Sequence, residues 1–484
     1  MPRRPNLLFI FTDEQRRDTM SCYGNDFVQA PALNRLASES VVFENAYVTQ
    51  PVCTPSRSTL MTGLWPHTNG CMENNIPLRR ETRTLAEMLP REYRRGYFGK
   101  WHLGDEIIAQ HGFPEWVSIE DNYRAHYSKK EYLARMSDYH HFLVKRGVQP
   151  DATKKGTPIF SRDFAARQRE ELTKAGFLGE EASRFIREHD RAAGPFALYV
   201  NFLEPHMPFH GPLDDMYDPQ EVPVGPHFRI PPQNASVMHT ALSDAYMQAK
   251  SRFGLDLTTE QGMRTLRARY LGLVTMLDRA VGSILGALEE SGQADDTIVV
   301  FTSDHGDMMG DHGIVAKCVM YEEAVTVPLL VRVPWLGRQQ RKVAGRVSHV
   351  DVVPTLLDLM GQPIPAELQG VSRRDVMEGK GTLAGNDVVI EWNGSEGFEA
   401  AMATLPDEEG NRIGGQPWRT LVGADGWKLN LSPVDRCELY DLNTDPCEMT
   451  NLFDRPEHKE RVRSMAARIR EWQKRTGDTA PLPA

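Results

Sequence analysis

Three continuous apolar runs of strand length constrain this chain more than any other feature. Leu7 to Thr12, Pro195 to Leu203 and Thr297 to Ser303 show no polar alternation, the mark of strands buried on both faces of a parallel sheet. An α/β architecture with helices on both sides of the sheet hides such strands from water. Each run ends in groups that carry chemistry: Asp13 and Glu14 after the first, Glu204-Pro205-His206 after the second, Asp304-His305-Gly306-Asp307 after the third. Open α/β sheets place ligands at the carboxyl ends of their strands, so two acidic strand ends point to one hard-metal site.

Length and charge set outer bounds. A chain of 484 residues with 40% hydrophobic content suggests two or three domains at roughly 150 residues each. The expected division is a large catalytic domain, 1–370, and a C-terminal subdomain, 371–484. Within the first, about 105–180 and 211–262 read as insertions over the pocket. A formal net charge of -10 and a pI near 5.9 oppose nucleic acid, so any anionic ligand needs a local basic pocket. Mean hydropathy is -0.46, and no apolar run approaches the ~20 residues of a membrane span, so no membrane partner is expected. Met1-Pro2-Arg3-Arg4 is basic, but Leu7 to Phe11 is too short for a signal-peptide core. As given, the chain reads as cytoplasmic, with a removed leader left open. Six cysteines show no zinc spacing and are too sparse for a disulfide scaffold. Cys437 and Cys447 are near enough in sequence to pair, but free thiols are expected.

Apolar spacing and caps predict the other elements. A helix over Pro31 to Glu39 precedes a strand from Val41 to Ala46. The capping box Thr84 to Glu87 starts a helix reaching near Arg95. Further helices are expected over Lys129 to Lys145, Leu266 to Glu290 and Val353 to Met360. Beyond residue 370, short strands at Val388 to Trp392, Thr420 to Val422, Trp427 to Leu431 and Glu438 to Asp441 predict a small antiparallel sheet, followed by a helix from Pro456 to Thr476.

The reactive centre is read at Cys53. Pro55 sets a turn, Ser56 to Thr62 begin a helix whose free N–H groups favour an anion, and Arg57 adds a fixed charge. In isolation such a cysteine is more often a buried structural thiol. Lys100 and His102, two apart in an extended segment, point to one side and can converge on an anion, although such a pair is commonly just solvated. His206 sits at a strand end between two prolines, where chemistry is expected. Asn74 and Asn75 border the pocket, His67 reads as structural, and His349 and Asp351 lead straight into a helix rather than forming a second metal site.

Cys53-Thr54-Pro55-Ser56-Arg57 followed by Thr62-Gly63 resembles the signature of the type I sulfatases, in the alkaline phosphatase-like superfamily. Gly99-Lys100-Trp101-His102-Leu103-Gly104 and the phrase Glu438 to Pro446 match further landmarks. Leu64 departs from the arginine that many members carry. The resemblance implies a large, mostly parallel mixed sheet sandwiched by helices, with a smaller C-terminal antiparallel sheet plus helix. It implies that Cys53 is oxidised to formylglycine by a formylglycine-generating enzyme. Asp13, Glu14, Asp304, His305 and the modified Cys53 would hold one cation. Four oxygen donors and one imidazole favour calcium, with manganese or magnesium as alternatives. By resemblance Lys100, His206 and Lys317 contact sulfate, Arg57 helps to stabilise its charge, and His102 works beside the formylglycine. His206 is the candidate general acid.

The implied reaction is hydrolysis of a sulfate monoester of a small molecule or glycan. Phosphonate monoester or phosphodiester hydrolysis is the alternative on the same scaffold: His305 is nearer to those hydrolases, which generally lack the Lys-x-His pair. A sulfoglycan-binding protein with an unmodified Cys53 is the non-enzyme alternative. A homo-oligomer is left open.

Overall fold

β1 (Asn6–Asp13) lies at the middle of the large sheet, and all eight of its residues are buried. The computed structural model describes residues 4–154, 156–394 and 403–483, so Met1, Pro2 and Arg3 of the basic start lie outside them. β2 (Val41–Tyr47), β3 (Arg94–Gly99) and β4 (Glu115–Val117) precede a short hairpin, β5 (Ala152–Lys154) and β6 (Thr157–Ile159). The strands β7 (Phe196–Pro205), β8 (Thr297–Ser303), β9 (Thr326–Val327), β10 (Leu329–Arg332) and β11 (Arg341–Ser348) follow.

The large sheet runs β11-β2-β10-β8-β1-β7-β3-β4, with β9 on β2. Only β9 and β10 run antiparallel to their neighbours. The three apolar runs of the sequence are therefore adjacent, with β1 between β7 and β8. Thr12 lies opposite Ser303 and Asp13 opposite Pro205, so the residues after all three strands emerge at one edge. β3 adds Gly99 opposite Asn201 and delivers Lys100 to the same edge.

Helices cover the sheet. The longest, Glu260–Glu290, is capped by the Thr259 side chain and buries Leu266, Leu273, Leu277, Val281, Ile284 and Leu288. It is long and apolar enough to cross a membrane, which the sequence reading did not anticipate, but its most apolar stretch is mostly buried in the protein.

Two expected helices are shorter than the periodicity suggested. The capping box at Thr84 forms, yet its helix covers only Leu85–Met88. Pro90 disfavours helical geometry at Leu89, and β3 begins at Arg94. Lys129 to Lys145 splits into a 3-10 turn, Lys130–Ala134, and a helix, Asp138–Lys145, whose Ser137 cap ends the first piece.

β12 (Val388–Trp392), β13 (Trp418–Val422), β14 (Trp427–Leu431) and β15 (Glu438–Asp441) form the small antiparallel sheet in that order. The helix Lys459–Thr476 packs Met465, Ile469 and Trp472 on Leu421, Leu429 and Leu439. Trp65, just beyond the Cys53 helix, meets Trp472 edge to face at 5.0 Å. His67 Nδ1 bonds Glu391 at 2.6 Å beside it, a structural role. His349 faces Ser56 and Thr302, and Asp351 pairs with Arg373 and caps its own helix, so neither forms a metal site with the other. All six cysteines are free.

Gly99 is a point of close backbone approach behind the site. Its φ is +119°, and a Cβ there would sit 1.9 Å from the Asn201 carbonyl oxygen. Gly99→Ala is expected to destabilise the protein by about 3 kcal/mol, from left-handed strain plus displacement of β7. Chemical denaturation would measure this, and a change within about 0.5 kcal/mol would show that β3 and β7 tolerate separation there.

Candidate active site

The helix Cys53–Thr62 carries the reactive position, and all ten of its residues are buried. It begins at Cys53 itself, with Pro55 inside its first turn, rather than after a turn set by Pro55. After Cys53 the N–H groups of the first turn are already used: Thr54 N–H donates to Asn74 Oδ1 at 2.8 Å, Pro55 has none, and Ser56 N–H donates to the Val52 carbonyl. Positive charge at this site therefore comes from side chains.

Those side chains meet a buried carboxylate cluster. Arg57 Nε donates to Asp304 Oδ2 at 2.8 Å, Nη2 to Asp13 Oδ2 at 3.1 Å and Nη1 to the Lys100 carbonyl at 2.7 Å. All three side chains are fully buried. Lys100 Nζ pairs with Asp13 as well. Burial alone would raise the Asp13 carboxyl, but Lys100, His206, Arg57 and Lys317 together hold it well below the usual range.

Cys53 Sγ lies 3.6 Å from Asp13 Oδ1 and 3.4 Å from His305 Nε2. Burial, and then the Asp13 charge, push the thiol up to about 12, opposite to the environment of an activated cysteine. His305 Nδ1 donates to the Gly306 carbonyl at 2.9 Å, which leaves the Nε2 lone pair facing the cluster.

The residues present fit a cation. Donor atoms of Asp13, Cys53, Asp304 and His305 lie within 4.8 Å of one another, and Asp13 also groups with Glu14 and His206. Both Glu14 carboxylate oxygens are buried, and Oε2 accepts no hydrogen bond among the described residues. Burial pushes this carboxyl up to about 8 against the pull of Lys317, whose Nζ is 3.0 Å away. An unpartnered buried carboxylate oxygen among oxygen-rich donors suits a hard divalent ion. Glu14 also holds a left-handed φ of +72°, with its N–H donating to Asp304 Oδ1 and its carbonyl accepting from the Tyr270 hydroxyl. Strain of this kind persists where surrounding bonds fix it.

Above the cluster opens a cavity of about 480 Å³, lined by Cys53, His102, His206 and Lys317 together with Asn74 and Asn75. Burial and nearby cations hold both His102 and His206 well below the ordinary imidazole value, so both are neutral near pH 7. His102 Nε2 is 3.2 Å from Asn75 Oδ1, and its φ is +55°. His206 Nδ1 donates to the Met207 carbonyl at 2.7 Å. Cys53, His102, His206 and Lys317 thus share one cavity, while Arg57 and Lys100 sit beneath it, bound to carboxylates.

A family model described as Sulfatase matches residues 5–362. The chain belongs to the sulfatase family. It is 25% identical over 535 residues to the N-acetylglucosamine-6-O-sulfatase of Bacteroides thetaiotaomicron, covering 99% of this chain and 88% of that protein. A protein solved with its substrate D-glucosamine-2-N,6-O-disulfate superposes with a TM-score of 0.78 at 23% identity over 99% of each chain. The phosphonate monoester hydrolase of Agrobacterium radiobacter superposes with 0.77 at 24% identity, over 98% of this chain and 96% of that one. Both solved proteins share the fold of this sulfatase, a sulfuric ester hydrolase of the alkaline phosphatase-like superfamily.

Several residues that shape the sulfatase site escaped the sequence reading. Glu106 accepts the N–H groups of Trp101 and His102 and so fixes the backbone of the Lys-x-His segment. Tyr123 stacks on the His102 ring at 4.0 Å, and Arg162 donates to Tyr123 Oη at 2.9 Å. Both come from the 105–180 excursion, as Tyr246 and Arg252 of the cavity wall come from 211–262. An acidic residue four positions after His102 was the one local signal for Glu106. The others depend on loop paths that composition does not encode.

The loop from β8 to Lys317 is held by a second polar cluster. Asp311 pairs with Arg16 at 2.8 Å and Arg267 at 3.1 Å, and His227 Nε2 lies 2.8 Å from Glu323 Oε1. Burial would lower His227, but its bonds to Asp311 and Glu323 raise it from 6.5 to about 10. Because the folded value is the higher one, this stabilisation is complete below about pH 6.5 and lost as pH rises through about 10. His227→Gln should therefore flatten the fall in unfolding free energy between those pH values, as measured by urea denaturation. Parallel pH profiles for both proteins would remove His227 from that account.

Proposed function

We propose that this sulfatase hydrolyses a sulfate monoester of a small molecule or glycan, with position 53 matured to formylglycine and one divalent cation. The observation that carries this reading is the placement of residue 53. It joins the carboxylate cluster below to a cavity above that holds Lys317 and two neutral imidazoles. Asp13, Glu14, Asp304 and His305 would hold the cation, for which calcium suits the donor set best. When bound, it would neutralise charge on the sulfuryl oxygens, and the hydrated aldehyde at position 53 would supply the attacking hydroxyl.

The chain's other groups then take separate tasks. Lys317, its side chain 9% exposed at the cavity wall, offers a cation to the ester oxygens. Lys100 supports Asp13 from beneath and lends its charge through that contact. Arg57 locks Asp13 and Asp304 in place, which makes it a positioning residue. Neutral His102 can take a proton on a ring nitrogen when sulfate is released. His206, its Nδ1 bound to Met207, can deliver a proton from Nε2 to the departing oxygen once an anionic ester raises its pKa.

Phosphonate ester hydrolysis is the second reading, favoured by His305 beside Cys53. The presence of Lys100 with Asp13 and His102 in the cavity supports sulfate instead.

Cys53→Ala should lower sulfate ester turnover by about 10³-fold or more with the fold intact. Retained turnover would remove residue 53 from the chemistry. Chelation should abolish activity and calcium restore it, whereas full activity after exhaustive chelation would contradict the cation site. Lys100→Ala should cost sulfate esters more than any phosphonate ester side activity, and equal losses would favour the second reading.

A further inference from the structure

Arg252 stands at the cavity wall without a carboxylate partner among the described residues. Its guanidinium lies 4.4 Å from the Tyr246 ring centroid, and Nη2 is 3.5 Å from the Tyr246 hydroxyl. Arg162, the other arginine of the wall, is already paired with Glu120 at 2.7 Å. The two therefore differ in what they can offer a ligand.

The backbone beneath Arg252 is built to aim it. Arg252 and Leu255 exchange both backbone hydrogen bonds, at 3.0 and 2.9 Å, across a two-residue turn. Phe253 and Gly254 both hold left-handed φ values, +56° and +71°. That pattern is a primed hairpin turn, and a bulky residue such as Phe is strained in its first central position. The strain is offset by packing: the Phe253 ring meets Phe209 edge to face at 5.0 Å. Phe209 belongs to the segment that carries His206, so the Arg252 turn is tied to the residue proposed as general acid.

We propose that the ester hydrolysed here bears a second anionic group, a carboxylate or another sulfate, and that Arg252 receives it. The proposal rests on the sulfate ester reading and specifies its substrate class. A planar guanidinium laid on an aromatic ring presents its edge for bidentate contact with either group, and its stacking limits the rotamer entropy lost on binding. Lys317 and the cation site meet the ester sulfate, while Arg252 meets the second charge across the same cavity. Arg252 thus determines specificity and has no part in bond cleavage.

The test compares kcat/KM for phenyl sulfate, 3-carboxyphenyl sulfate and 1,3-phenylene disulfate, using protein with the aldehyde present at residue 53. The expected result is a preference of tenfold or more for at least one dianionic ester. That preference collapses in Arg252→Gln, mainly through KM, and is partly restored in Arg252→Lys. The carboxylate and disulfate arms identify which anion is read. Absence of any preference, or the same preference in Arg252→Gln, would overturn the assignment while leaving the hydrolase reading intact. No turnover of all three esters by the modified protein would instead overturn both.

Discussion

The structure depends on one buried guanidinium. Arg57 reaches from the helix after β2 to carboxylates at the ends of β1 and β8, and also binds the backbone of the segment after β3. Because these side chains are fully buried, losing one partner of such a set costs about 3–5 kcal/mol. The same contact fixes where Asp13 and Asp304 stand. Stability and site geometry are therefore one constraint: the charge that makes the cluster tolerable in the folded chain also sets the spacing of the cation donors.

The cluster explains the asymmetry of the cavity. Its floor is rich in carboxylates, and one of their oxygens, Glu14 Oε2, accepts no hydrogen bond among the described residues. The wall carries Lys317, Arg162 and Arg252 with two neutral imidazoles. A negative floor and a positive rim suit a cation below and an anionic ester above. A protein with a formal net charge of -10 can thus gather an anion by local placement rather than by its overall field.

Much of this was legible in the sequence because it follows from local rules. The strands β1, β7 and β8 are unbroken apolar runs in the sequence, and the polar groups that follow them mark one sheet edge. Cys53, Lys100 and His102 lie in short motifs, so their meeting at one sheet edge could be anticipated. What failed was longer in range. The Thr84 helix stops early because Pro90 outweighs its apolar spacing, and the helix N-terminus at Cys53 has its N–H groups taken by Asn74 and Val52. Arg57 was expected to help stabilise the sulfate charge, and its contacts with the ends of two strands depend on an adjacency that no local pattern reveals. Glu106, Tyr123, Arg162 and Arg252 are placed by tertiary paths.

The central claim is that position 53 works as an aldehyde rather than a thiol. The mass of the tryptic peptide from Leu36 to Arg57 tests it most directly, because Cys53 is its only cysteine. The account predicts the mass of formylglycine in protein that turns over sulfate esters. A fully active preparation whose peptide carries only an unmodified thiol would contradict it.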